Sequence, residues 1–417
     1  MNEDGVGEAD VAESVPPEPA ARVPWRSRTV QVVLLSTLLA PLGVPLVAPA
    51  LPVLRDTFAV SDAQASLLVS AYFAVGVVIS PLVGLIADRI GRKRVLVTSL
   101  FCFAIAGGAA AFAPSFEALL VLRALQGTAA AGLFITTVTL VGDVFSGAQR
   151  NAVLGVNIAV LSTGAALFPI LGGALVAISW NVPFLLYLLA VPVGLFAARV
   201  LEEPDVERET HGVTYIAGAL RSLANREAAL LYGTAFTTEL LTFGALVTAL
   251  PFLLSEEFAL TPVFIGLVIT AGEGAAIVAS SLNGRFARHL SNVGLLAVGF
   301  AGYGVGLLVA WTAPTPAIVA LGAVAFGVGL GFSMPAVDAA ISELVAGRYR
   351  AEAISLRNST TFLGRATGPI VFAGLAAVVG GYRPLLLASG LAAFALVGVA
   401  VASAGGRIRA GEAAAET

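Results

Sequence analysis

Charge is scarce in this chain. Asp, Glu, Lys and Arg make up 12 % of its 417 residues, while 58 % are hydrophobic. A soluble domain carries about 25 % charged residues, so a water-facing globule is excluded. There is one cysteine, Cys102, which rules out an intrachain disulfide and a cysteine-built zinc cage. Two histidines and no His-Glu-x-x-His pair leave metalloprotease chemistry without its ligands. No Gly-x4-Gly-Lys sequence is present to cradle a nucleotide phosphate. Gly327-x-Gly329-x-Gly331 lies inside an apolar run with no strand before it, so a dinucleotide reading fails on context. No enzyme activity, metal, cofactor or nucleic-acid partner is expected. The first 25 residues hold six acids and several prolines, the composition of a disordered acidic tail rather than a basic-led secretion signal.

Long apolar runs fill the remainder. A membrane-crossing helix needs about 20 mostly apolar residues. That rule gives twelve spans, roughly 29–53, 63–84, 94–113, 117–140, 152–177, 181–201, 228–254, 262–283, 292–313, 315–340, 353–379 and 382–404. Eighteen of the 23 Lys and Arg residues fall at the N-terminus, in the even-to-odd loops or in the tail. Only Arg55 and Arg383 fall on the other side. By the positive-inside rule both termini are cytoplasmic, and the chain is a multi-pass protein of the cell membrane. Five segments follow: an N-terminal tail over 1–28, a six-helix bundle over 29–201, a charged linker over 202–227, a second bundle over 228–404 and a C-terminal tail over 405–417. In the linker, His211 reads as a solvated surface residue.

The chain also repeats itself. Ala50-Leu51-Pro52-Val53-Leu54 returns as Ala249-Leu250-Pro251-Phe252-Leu253, and Phe58-Ala59 returns as Phe258-Ala259. Ser61 and Thr261 are matching helix caps, and Gly164…Pro169-Ile170 returns as Gly364…Pro369-Ile370. An offset of 199 or 200 residues throughout indicates a duplication. In the second copy Arg288 stands where Asp88 stood, so any latch there runs through Asp338 or Glu343 instead.

Between the second and third spans, Gly84-Leu-Ile-Ala-Asp88-Arg89-Ile-Gly91-Arg92-Lys93 packs charge into a short turn. This resembles the loop of the major facilitator superfamily, whose pattern is Gly-x-Leu-Ala-Asp-Arg-x-Gly-Arg-Lys, with Ile86 replacing the leucine. Arg123-Ala-Leu-Gln126-Gly127 is similar to the family's fourth-helix Arg-x-x-Gln-Gly. Gly155, Gly164, Pro169, Gly172 and Gly173 resemble the glycine–proline motif that marks its drug:proton antiporter branch, with Phe168 replacing a glycine. The resemblance implies an all-α membrane protein of twelve transmembrane helices in two pseudo-symmetric six-helix bundles, the major facilitator fold. It also implies that Arg123 takes part in proton coupling; the alternative is a structural arginine bonded to backbone carbonyls. In the loop, Arg92 is expected to pair with Asp143, and Asp88 to face the positive end of the eleventh helix. These contacts would latch the halves on the cytoplasmic side.

Glu239, Glu273 and Arg365 each lie 11–13 residues into a span, near the bilayer midplane. Ionisable groups there are costly and mark ion or substrate pathways. In the resembling family the seventh, eighth and eleventh helices line the central cavity, so the three are expected to meet. Glu239 or Glu273 is then the coupling carboxylate and Arg365 its partner; a static clip between helices is the alternative. The expected function is secondary transport by alternating access: proton-coupled efflux of a small amphipathic or hydrophobic, drug-like compound by a monomer powered by the proton gradient. The alternatives are an importer or facilitator of a small metabolite such as a sugar or amino acid, and a non-transporting membrane receptor.

Overall fold

Prolines set the shape of the first span. The computed structural model describes residues 22–204, 226–344 and 350–415. In it, α1 is helical over Arg28–Leu39, tightens into 3-10 turns at Ala40–Leu42 and Ala48–Ala50, and resumes as a helix over Leu51–Phe58. Pro41, Pro49 and Pro52 have no N–H to give, so nearby carbonyls lose their helical partners. In an apolar medium those carbonyls need other donors.

Eleven further segments follow: α2 (Asp62–Ile90), α3 (Arg92–Ala109), α4 (Phe116–Val144), α5 (Gly147–Val176), α6 (Val182–Val200), α7 (Glu227–Phe258), α8 (Pro262–Phe286), α9 (Asn292–Thr312), α10 (Pro316–Leu344), α11 (Arg350–Val379) and α12 (Tyr382–Ala415). Among the described residues, α2 to α11 are long and apolar enough to cross a membrane, and Arg28–Leu42 and Tyr382–Gly398 are shorter apolar helices. No strand occurs among the described residues. The acidic segment expected before residue 22 and most of the linker, with His211, lie outside them. The tail expected from residue 405 is instead a continuation of α12 to Ala415; its alanine-rich sequence favours helix.

Local chemistry explains the helix ends. Ser61 opens α2 with a reciprocal cap: its Oγ accepts from the Gln64 N–H at 3.2 Å, and Gln64 Oε1 accepts from the Ser61 N–H at 2.9 Å. Thr261 holds the same position before α8, but its side chain makes no capping bond. There Pro262 begins the helix, and its missing N–H leaves one fewer donor to satisfy. Ala59 and Ala259 both take left-handed backbone, with φ of 51° and 50°.

The duplication extends to packing. A Cβ on Gly127 would lie 1.8 Å from the Tyr72 carbonyl oxygen, and one on Gly327 would lie 1.9 Å from that of Gly272. The same contact between the second and fourth helix of each repeat thus recurs 200 residues on. The two halves meet along α2 against α11 and α5 against α8. Small residues let these helices touch backbone to backbone.

Candidate functional site

α7 and α11 pack closely because α11 presents glycines to α7. A Cβ on Gly364 would sit 2.6 Å from the Phe236 carbonyl oxygen, and one on Gly368 would sit 2.6 Å from that of Leu240. This approach brings Arg365 against Glu239. Arg365 Nε donates to Glu239 Oε2 at 3.0 Å and Nη2 donates to Oε1 at 2.9 Å, a bidentate pair. The Glu239 side chain is 3 % exposed and that of Arg365 28 %. Directly after this pair α7 widens into π-helix over Thr242–Ala249, a distortion frequent at functional sites.

Aromatic rings from both halves surround the guanidinium. Its Cζ lies 5.5 Å from the Phe73 ring centre, 5.3 Å from Phe243 and 5.9 Å from Phe362, within cation–π range. Phe73, on α2, meets Phe243 edge to face at 4.9 Å. The ring cage therefore spans the boundary between the halves.

Glu273 stands on α8 within electrostatic range of both Glu239 and Arg365. It is half-buried. Among the described residues it makes no hydrogen bond or ion pair. α8 carries Thr270, which donates to the Ala166 carbonyl of α5 at 2.6 Å, so this stretch faces the opposite half. Of the three midplane charges expected to meet, Glu239 and Arg365 bond directly, while Glu273 lies within electrostatic range of both without a bond to either among the described residues.

Arg123 lies elsewhere, wholly inside the N-terminal half and fully buried. It donates to the carbonyls of Gly43 at 2.5 Å and Leu68 at 3.2 Å, to Gln126 Oε1 at 2.7 Å and to Tyr187 Oη at 3.3 Å. The Tyr72 ring lies 4.6 Å from its Cζ. Tyr187 in turn donates to the Leu42 carbonyl at 2.9 Å. Arg123 and Tyr187 thus supply the donors that the broken first span lacks. Among the described residues no carboxylate faces Arg123.

At the basic loop, Arg92 Nε donates to Asp143 Oδ2 at 2.9 Å, as the charges suggested. Asp88 does not reach α11 among the described residues; it pairs with Arg92 at 2.6 Å, one helical turn along. That local partner is available without crossing between the halves, so this charge cluster sits in the N-terminal half. Glu203, which sequence reasoning passed over, caps α3 by accepting from the backbone N–H groups of Arg92 and of Lys93, the latter at 3.1 Å. Gly91, at φ +105°, is the one residue that admits this carboxylate, because a Cβ would lie 2.6 Å from its oxygen. In the second copy Asp338 pairs with Arg357 at 2.7 Å, and Asn292 donates to Glu343 at 2.9 Å.

The glycine–proline motif divides its labour. Gly164 lies against Pro41, and Gly172 against the Leu46 carbonyl, 1.9 Å from a built Cβ. Both clasp the broken first span. Gly173 reaches across to the other half, where a Cβ would meet the Pro262 carbonyl at 2.2 Å, and Gly266 meets the Pro169 carbonyl reciprocally at 2.2 Å. Gly155 borders open space. α5 stays helical through Pro169.

The face opposite the basic loop is tied shut. Arg55 bonds Asp62 at 2.9 Å within its half and Glu256 of the other half. Tyr382 Oη donates to Asp62 at 2.8 Å, again across the halves. Together with the Gly173–Pro262 and Gly266–Pro169 contacts, these close the boundary from that face down to the aromatic cage.

Comparison with known proteins yields one family. The sequence model described as Major Facilitator Superfamily matches residues 33–238 and 231–409. The bacillibactin exporter of Bacillus subtilis (strain 168) is 26 % identical over 347 residues, covering 80 % of this chain and 86 % of that protein. Quinolone resistance protein NorA of Staphylococcus aureus (strain MRSA252) is 27 % identical over 350 residues, covering 80 % and 86 %. Among solved structures, a bacterial homolog of the human lysosomal transporter Spinster, inward-facing and unoccupied, superposes with a TM-score of 0.72 at 17 % identity, covering 91 % and 95 %. A point mutant of the nucleoside transporter NupG superposes at 0.74 with 15 % identity, covering 90 % and 99 %. At those identities the likeness concerns the fold.

Proposed function

The chain belongs to the Major Facilitator Superfamily, and we propose that it exports a small amphipathic or hydrophobic compound in exchange for protons. It is a multi-pass membrane transporter; the curated relatives named above are exporters and resistance proteins by name, which favours efflux over import or a receptor role. The positive-inside asymmetry supports cytoplasmic termini in the cell membrane. On that orientation the tied face is extracellular and the basic loop cytoplasmic.

The observation that carries the coupling reading is the unpartnered Glu273 beside the Glu239–Arg365 pair. A carboxylate with no local partner, on a helix facing the other half, can take a proton from one side and release it to the other as the halves rock. Arg365 stays anchored by Glu239. The proton gradient is the energy source, no cofactor enters, and the working unit is a monomer. Arg123 holds α1, α2, α4 and α6 together so that the N-terminal half moves as one body.

Proteoliposomes carrying a pH-sensitive dye test this. Glu273→Gln is expected to abolish substrate-driven proton movement and uphill export while leaving downhill substrate exchange intact. Uphill export by Glu273→Gln at the wild-type rate would remove Glu273 from the mechanism.

A further inference from the structure

At the end of the N-terminal half that carries the basic loop, a cavity of about 720 Å³ opens between the ends of α2, α3 and α6. Its wall is Arg89, Ile90, Lys93, Arg94, Val97 and Thr98, closed by Ala198 and Glu203. Three bases thus converge on one hollow. Arg92, the fourth base of the loop, is spent on Asp88 and Asp143. The single acid in the wall, Glu203, is also occupied, since its carboxylate accepts from two backbone N–H groups. Lys93 and Arg94 make no side-chain bond or ion pair among the described residues.

The hollow lies where the spans end. α3 begins at Arg92 and α6 ends at Val200, so the cavity is level with the edge of the hydrocarbon layer. Below the bases the lining turns apolar: Val97 follows Lys93 by one helical turn, and Ala198 faces it from α6. Exposed Ile86 and Ile90 continue this surface along α2, and exposed Leu195 along α6. Cations above an apolar wall match a molecule with an anionic head and a hydrocarbon chain. Basic pockets between helix ends on the cytoplasmic side hold anionic lipid headgroups by this chemistry.

We propose that this cavity binds the phosphate group of an anionic phospholipid, with Lys93 and Arg94 contacting the phosphate and an acyl chain lying along Ile90, Val97 and Ala198. Nothing in the export cycle uses these residues. The inference needs only that the chain sits in a bilayer, so its failure leaves the exporter reading untouched.

Native mass spectrometry on the full-length chain, released from detergent with dioleoyl phosphatidylglycerol or dioleoyl phosphatidylcholine, tests it. Phosphatidylglycerol is expected to be retained over phosphatidylcholine, by about fivefold per contacting base. Lys93→Gln with Arg94→Gln should remove that preference. Because neutralising loop charge can disturb insertion, Ala198→Trp provides a second variant that fills the hollow without altering charge, and it should also remove the preference. Equal retention of the two lipids by the wild type, or a preference that survives both variants, overturns the proposal. A third arm adds millimolar inorganic phosphate with no lipid. If phosphate alone raises the thermal midpoint as much as phosphatidylglycerol does, the occupant is free phosphate and the lipid assignment is overturned.

Discussion

Gly266→Ala isolates the conformational step from the stability of the fold. In the structure a Cβ at position 266 would lie 2.2 Å from the Pro169 carbonyl oxygen and 3.1 Å from the Ile170 Cα. Carbon and oxygen rest at about 3.3 Å at the closest, so α5 and α8 must separate by roughly 1 Å to admit one methyl group. The listening neighbour is backbone rather than a movable side-chain tip, so the contact cannot yield by a rotamer change. Overpacking of this kind costs about 1–3 kcal/mol. The cost falls only on the state in which these helices touch. The intrinsic gain of alanine over glycine within a helix, about 1 kcal/mol, falls on every state and cancels from the ratio between them. The equilibrium should therefore shift away from the tied conformation by about 5- to 150-fold, without loss of thermal stability. Spin labels at exposed Thr57 and Thr315, one in each half on the tied face, introduced with Cys102→Ser, would report the shift as a longer distance population. Gly173→Ala, whose Cβ would meet the Pro262 carbonyl at 2.2 Å, should act in the same direction. An unchanged distance distribution in Gly266→Ala would refute the idea that this backbone contact holds the face shut.

Two further expectations concern the buried charges. Arg365→Gln leaves Glu239 buried without its partner and should cost about 3–5 kcal/mol of stability, while adding Glu239→Gln should recover most of it; equal denaturation midpoints for the single and double variants would show that the pair carries no such weight. Arg123→Lys replaces a fork of donors by a point charge and should lower the thermal midpoint by an amount equivalent to about 2 kcal/mol, leaving the proton-to-substrate ratio unchanged. Normal stability with lost coupling would instead favour the role that family resemblance implies for this arginine.

The features legible in the sequence are those with a local or periodic cause. Twelve apolar runs, the cap at Ser61 and the pairing of Arg92 with Asp143 follow from composition, spacing and charge. The pairing of Glu239 with Arg365 was expected from their shared depth together with the cavity-lining helices that the family resemblance implies. What escaped were choices among partners far apart in the chain. Glu203 caps a helix 111 residues before it, and Tyr382 bonds Asp62 across 320 residues. No local pattern marks either. Asp88 pairs with Arg92 one turn along, while the start of the eleventh helix that it was expected to face borders residues outside the described ones. The π-helical stretch after Glu239 has no sequence signal.

The two copies of the repeat diverge at the midplane charges. An offset of 200 residues pairs Phe73 with Glu273, each the twelfth residue of its helix by the bounds Asp62–Ile90 and Pro262–Phe286. Both belong to the surroundings of Arg365, one as a ring at 5.5 Å and the other as a charge. The same offset pairs Tyr72 with Gly272. In the first copy the tyrosine ring covers Arg123, which is consumed by the carbonyls of the broken span. In the second copy Gly272 instead packs against the backbone of position 323, equivalent to Arg123, which is Ala323. One copy has thus committed its arginine to holding backbone together. The other has moved its arginine to the boundary and set a spare carboxylate beside it. On the exporter reading proposed above, the differences between the copies at positions 273 and 365 confine the coupling carboxylate and its arginine to one half of a pseudo-symmetric scaffold.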